Sequence, residues 1–214
     1  MAYLYIPVWF YELDSIMYFA SAIFGFLVSY YAYKLYEMSG KRTHFCLHLA
    51  FAVLSAGLFA LSVTSSYVYM NFFVKQVQPS FQAIFDVSDL GYWIYFVASL
   101  LAYLLLAWMY ATEKHKLDFV PIAIPFWYTV YPHFNVISLF LLSYITFRTG
   151  VNWKIKRSLN ALLVTVAFAL LGIYHFLLMM SPFNEWSYVL AHFSMLLGFI
   201  CLLVMLRRVS RVRN

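Results

Sequence analysis

Of the six histidines in this chain, three stand inside long apolar runs: His48, which enters the run His44 to Val68 from its basic end, and His175 and His192, which lie near the opposite ends of theirs. His175 lies about five residues before the end of the run Ser158 to Met180, and His192 about six residues after the start of the run Trp186 to Leu206. A short turn, Ser181 to Glu185, joins the two runs. At roughly 1.5 Å per helical residue, the two rings then sit at similar depth on antiparallel neighbours. Such a pair can supply both axial ligands of a b-type haem, and His133 would make a third nitrogen for a metal ion. Gly172, one turn before His175, would leave room for a flat macrocycle. The same rings can instead hydrogen-bond a neighbouring helix and hold a bundle together, which is the commoner use of a membrane histidine. Met179, Met180 and Met195 lie near both and read as gap-filling side chains rather than copper ligands.

Other chemistry is hard to find. There is no HExxH helix, phosphate-binding loop or GxSxG elbow. Cys46 and Cys201 sit in separate apolar runs without metal-site spacing and are expected to be free thiols. No acidic or basic side chain is expected deep in an apolar run, which argues against proton pumps, sodium-coupled carriers and voltage sensors. The last run has no lysine for a retinal Schiff base. Tyrosine and phenylalanine are abundant, at 19 and 22, and those near run ends, such as Trp9, Tyr69, Trp127 and Trp153, suit an interfacial aromatic belt. Tyr30, Tyr103 and Tyr174 are the ones placed to line a solute or quinone pocket, with packed, hydrogen-bonded roles as the simpler alternative.

The elements that must position these groups follow from composition. The 214 residues are 65% hydrophobic and 10% charged, far from the ~25% charged of a soluble domain. No soluble core can enclose so much apolar surface, so the fold class is an all-α integral membrane protein, and the localisation a multi-pass cell-membrane one. About 20 apolar residues are needed per crossing, which allows a seven-transmembrane-helix bundle as a single domain. The predicted spans are Ser15 to Tyr33, His44 to Val68, Tyr92 to Ala111, Phe119 to Tyr131, Phe134 to Phe147, Ser158 to Met180 and Trp186 to Leu206. Val77, Phe81, Ile84 and Phe85 recur at helical spacing, as in a short surface helix or a packed loop. Met1 to Tyr11 lacks the charged start and small-residue cleavage site of a signal peptide and is expected to lie at the interface.

Phe119 to Phe147 is long for one crossing, and Pro132, His133 and Asn135 form a polar break that divides it into two. Charge supports that division. With seven spans, Lys34, Lys41, Arg42, Lys114, Lys116, Arg148, Lys154, Lys156, Arg157 and the tail arginines share one face, and only Lys75 falls opposite. The positive-inside rule then puts the N-terminus outside and the C-terminus in the cytoplasm. Arg157, Arg207, Arg208 and Arg211 are expected to meet anionic lipid headgroups, and no nucleic acid is implied by the net charge of +6. A faint internal repeat pairs Ser29 to Lys34 with Ser143 to Arg148, and Ala50 to Ser55 with Ala167 to Gly172. The two matches differ in register by three residues, placed in the connecting turn. Parallel repeats of three spans around a linking fourth would account for them, with chance similarity the alternative.

These features leave three functional classes. The first is a non-enzymatic module for small-solute transport or membrane sensing. A haem- or metal-binding electron-transfer subunit using His133, His175 and His192 is the second. The third is a scaffold in a larger membrane complex, with partner subunits or further copies of the chain.

Overall fold

The computed structural model describes residues 10–71, 81–112 and 130–212. These form six helices: α1 (Tyr11–Ser39), α2 (Arg42–Tyr69), α3 (Phe81–Thr112), α4 (Val130–Lys156), α5 (Leu159–Met180) and α6 (Glu185–Val212). Each contains a stretch long and apolar enough to cross a membrane. The distribution of side chains is that of a protein whose solvent is lipid: Phe140 is 71% exposed, while His175 and His192 are fully enclosed. Water would reverse that arrangement, because apolar side chains are driven inward and unpaired imidazoles outward. The chain is a multi-pass helical membrane protein.

Two tight turns set the helix pairs. Gly40 takes a left-handed conformation at φ 62° and its N–H donates to the Tyr36 carbonyl, ending α1. Lys41 is extended and α2 begins at the next residue. Arg157 does the same for α4, with φ 46° and its N–H on the Trp153 carbonyl at 2.7 Å. Ser158 then caps α5 by accepting from the Ala161 N–H. Residue for residue, the two turns correspond at one constant interval: Tyr36 with Trp153, Gly40 with Arg157, Arg42 with Leu159. At the same interval, buried Ala50, Phe51, Leu54 and Leu58 of α2 correspond to buried Ala167, Phe168, Leu171 and His175 of α5. The Ala50 to Ser55 match expected from sequence is therefore in register. The Ser29 match is not: with no difference in turn length, Ser29 corresponds to Thr146 rather than Ser143.

Neighbours around the bundle run α1, α2, α3, α4, α5, α6 and back to α1. Direction can be read from contacts. Ser62 reaches Ser15 and His48 reaches Ser29, so α1 and α2 are antiparallel. Asn135 meets His175 while Gly150 lies near Thr165, so α4 and α5 are antiparallel too. By contrast α3 and α4 run parallel: Tyr95 packs on Phe134 at their starts, and Arg148 donates to the Tyr110 carbonyl at their far ends. The start of α4 thus lies at the end of the bundle from which α3 began. α1 and α6 are parallel as well, with Asp14 beside His192 and Gly25 near Phe199. The described lysines and arginines all fall toward the end where α1, α4 and α6 finish.

The structure revises several boundaries. Six helices long and apolar enough to cross a membrane are present among the described residues, and the predicted span Phe119 to Tyr131 falls almost wholly outside those residues. No break occurs at Pro132 to Asn135, because α4 starts at Val130 and continues through it. Pro132 is tolerated there since the amides of a first helical turn have no intrahelical acceptor. α4 also continues past Phe147 to Lys156, which draws Arg148 into a helix. Phe81, Ile84 and Phe85 belong to the first turns of α3 rather than to a separate surface helix; Val77 lies outside the described residues.

Candidate functional site

The polar interior begins with Asp14, three residues into α1. Sequence places it just ahead of the first apolar run, on the outer face; instead it is 1% exposed. Because α6 packs parallel to α1, its first two turns lie alongside, and both Tyr188 and His192 reach the carboxylate. Tyr188 Oη donates to Asp14 Oδ1 at 2.6 Å, and His192 Nε2 lies 3.2 Å from the same oxygen. Tyr18 Oη is 3.5 Å from Tyr188 Oη. Since the Tyr188 proton is directed at Asp14, Tyr18 is the donor in that contact. His192 Nδ1 lies 2.9 Å from the Tyr188 carbonyl, which only accepts, so Nδ1 carries a proton. Phe10 closes the cluster, with its ring 5.6 Å from that of Tyr188 and 5.5 Å from that of His192. Asp14 Oδ2 and His192 Nε2 are both enclosed without a hydrogen-bond partner, so the approach of Nε2 to Oδ1 is close but not aligned as a hydrogen bond.

A second cluster hangs from α5. His175 Nδ1 is 2.9 Å from Asn135 Oδ1, and its Nε2 is 3.1 Å from Tyr103 Oη. Nδ1–H donating to the amide oxygen and Nε2 accepting from the tyrosine satisfies the neutral ring completely. Tyr95 donates to Tyr174 at 3.3 Å and lies within hydrogen-bonding reach of Tyr103. Tyr174 then joins the clusters, its ring 4.8 Å from that of His175 and 6.2 Å from that of His192.

With α1, α2 and α3 as one set and α4, α5 and α6 as the other, most of these polar contacts cross between the sets. Asp14 with His192, Asp14 with Tyr188, Tyr18 with Tyr188, Tyr95 with Tyr174 and Tyr103 with His175 all do so. His175 with Asn135, Tyr95 with Tyr103 and His192 with the Tyr188 carbonyl stay within one set.

The sequence-predicted ligands are placed as follows. His175 and His192 do lie on adjacent antiparallel helices at similar depth, but their Nε2 atoms face different helices, α3 and α1. Bis-imidazole ligation needs both Nε2 atoms free and opposed across one metal, and here His175 Nε2 is taken by Tyr103. The set does not fit a haem as it stands. The side chain of His133 lies outside the described residues, and no group of three His, Cys, Asp or Glu side chains suited to a metal ion occurs among those described. Gly172 does not face an open slot: a Cβ there would meet Leu142 and Leu139 at ordinary contact distance. Met195 is buried core. Tyr103 and Tyr174 are fully enclosed, whereas Tyr30 is 60% exposed on the lipid face.

His48 is half-buried and tied to Ser29, Nδ1 to Oγ at 2.8 Å, which is the helix-to-helix gluing expected of a membrane histidine. Cys46 and Cys201 are free. Arg157, Arg207 and Arg208 are exposed at the basic end; the Arg211 side chain lies outside the described residues.

Sequence reasoning placed Asp14 at the outer face and gave it no role. Its spacing to Tyr18, one helical turn, was a usable signal, since two polar residues on one face at the head of an apolar helix point the same way. What sequence lacked was the pairing of α1 with α6. No protein-family model matches this chain, and comparison with the curated proteins and with solved structures finds no match.

Proposed function

We propose that this chain is a seven-crossing membrane module for a small polar solute, built from two three-helix halves, with its N-terminus outside and its basic end in the cytoplasm. The observation that carries this reading is the polar network from Asp14 to Asn135, most of whose contacts join one half to the other. Transporters made of parallel repeats bind substrate where the repeats meet, and rocking one half against the other alternates access to that place. An interface joined by a few hydrogen bonds between hydroxyl, imidazole and carboxylate groups suits such motion, because water or a polar solute can replace each bond. An apolar seam would offer a solute nothing in exchange.

The corresponding turns at Gly40 and Arg157 support two equivalent halves. The parallel course of α3 and α4 supports an additional crossing between Thr112 and Val130, since a chain leaving one end of the bundle must return to the other. Lys34, Lys41, Arg42, Arg148, Lys154, Lys156, Arg157, Arg207 and Arg208 gather at one end, which by the positive-inside rule faces the cytoplasm. There they meet anionic headgroups, each worth about 1 kcal/mol near the surface.

A panel of neutral sugars, amino acids and alkali cations, each added to the purified protein in mild detergent, tests the role. A ligand at 100 times its Kd stabilises by about 2.7 kcal/mol, which for a chain of this size raises Tm by roughly 5–10 °C. Stabilisation that is lost in Tyr95→Phe supports the reading. A preparation that responds to no solute and copurifies with larger membrane partners overturns it in favour of a scaffold. Orientation is checked separately: cysteines at Arg157 and at Phe183 should label from opposite sides in sealed vesicles.

A further inference from the structure

We propose that Asp14 and His192 form a binding site for one exchangeable proton, carried either by the Asp14 carboxylate or by His192 Nε2. The argument is a count of hydrogens. His192 Nδ1 must donate, because its partner is the Tyr188 carbonyl. If the ring held only that proton, Nε2 would keep an unpartnered lone pair 3.2 Å from a carboxylate oxygen, and the enclosed pair would carry a net negative charge. The positive partner found for Asp14 among the described residues is His192 itself. A second proton on the pair removes the net charge, whether it is drawn as imidazolium with carboxylate or as imidazole with carboxylic acid; the site is then neutral overall.

The surroundings make this proton exchangeable rather than permanent. The titratable groups facing the pair are Tyr18 from α1, Tyr92 from α3, Tyr174 from α5 and Tyr188 from α6. All are neutral hydroxyls, so none fixes the charge of the pair as a buried lysine or arginine would. Tyr18 and Tyr188 form a donor chain ending on Oδ1, which stabilises the carboxylate left behind when the proton departs. The unpartnered Oδ2 has a lone pair available to the first water that enters. Release breaks only that one N–H or O–H bond, and the proton passes to that water. It requires α1 and α6 to part, the same separation of halves invoked above. The inference thus deepens the transport reading by naming its coupling ion, but the site can be tested without any flux.

The test is a pH titration of the full-length protein in lipid nanodiscs, followed by infrared difference spectroscopy of the carboxyl region and by 15N-histidine NMR. The wild type should show one carboxyl-linked transition accompanied by a change at one histidine Nε2. Both signals should vanish in Asp14→Asn and in His192→Gln and persist in His175→Gln. Tyr188→Phe keeps the pair but removes one hydrogen bond to the carboxylate, and should raise the midpoint by about one pH unit. If Asp14→Asn does not fold, the Tyr188→Phe shift alone decides. A wild-type titration identical to that of Asp14→Asn, or an unmoved midpoint in Tyr188→Phe, overturns the proposal. Titration without any solute response sustains the proton site and sinks the transport reading; a solute response without titration does the reverse.

Discussion

Replacing Gly57 with alanine should loosen the seam between α2 and α3 despite being a helix-favouring change. An ideal Cβ at Gly57 lies 2.6 Å from the Cβ of Ala98 and 3.3 Å from the Cα of Tyr95. Carbon atoms pack at about 3.5–4.0 Å, so the helices must separate by roughly 1 Å. Neither contact can yield, because one atom is backbone and the other is fixed directly to it. Overpacking of this kind costs about 1–3 kcal/mol, while alanine recovers about 0.8–1.0 kcal/mol over glycine in a helix. The net expectation is a loss of about 0–2 kcal/mol. A double-mutant cycle with Ala98→Gly separates the two effects, because that change removes the nearest clashing atom. The coupling energy between the two sites should be about 1–2 kcal/mol, with the double variant more stable than additivity allows. Reversible unfolding by added sodium dodecyl sulfate in mixed micelles, followed by tryptophan fluorescence, measures it. Additive behaviour, within about 0.5 kcal/mol, would refute the close approach of these helices.

Gly172→Ala is the counterpart. Its Cβ would meet Leu142 at 3.8 Å, an ordinary contact, so the helix preference should dominate and the variant should gain about 0.5–1 kcal/mol in the same assay. Tyr103→Phe leaves His175 Nε2 enclosed without its donor, which should cost about 1–3 kcal/mol; an unaltered unfolding curve would show that this bond is absent. Protein purified in mild detergent should lack a Soret band and a dithionite-reduced α band, because the Nε2 of His175 is committed to Tyr103. A haem spectrum lost in His175→Ala would show that the ring turns away from Tyr103 to bind the macrocycle.

Much of the fold was legible, and the gaps have physical causes. Hydropathy finds a helix wherever some twenty apolar residues adjoin, so α1, α2, α5 and α6 are recognised at nearly the right places. It misjudges ends that carry charge. Arg148 looks like a terminus, but α4 continues for two further turns because a guanidinium can reach back to the Tyr110 carbonyl. Pro132 looks like a break and is instead part of a first turn. The depths of His175 and His192 were readable from residue counts alone, while the directions of their rings were not, since those depend on helix rotation and on which helices adjoin. Asp14 was given no role for the same reason. A carboxylate three residues into a helix is ordinarily wet, and only the parallel packing of α6 encloses it.

The correspondence between the halves sharpens that point. At the interval that matches Gly40 with Arg157, Tyr18 falls on Asn135 and Ser21 on Ser138, all four buried. Gly25 falls on Leu142 and Ser55 on Gly172. In the first half a Cβ on Gly25 would run into the Ser55 hydroxyl, and in the second it is Gly172 that faces Leu142, so the same close crossing is made with the small residue on opposite helices. Yet the groups capable of holding a proton are not duplicated: the position matching Asp14 is Tyr131, and the one matching His175 is Leu58. A frame needs equivalent packing in both halves, and selection for stability alone would keep it symmetric. A buried carboxylate opposite an imidazole stabilises little over well-packed apolar side chains, so its presence on one side only is hard to attribute to folding. His175 shares that asymmetry, but both its nitrogens are satisfied, whereas Asp14 Oδ2 and His192 Nε2 are enclosed without partners; it is the latter pair that points to the place where the chain does its chemistry.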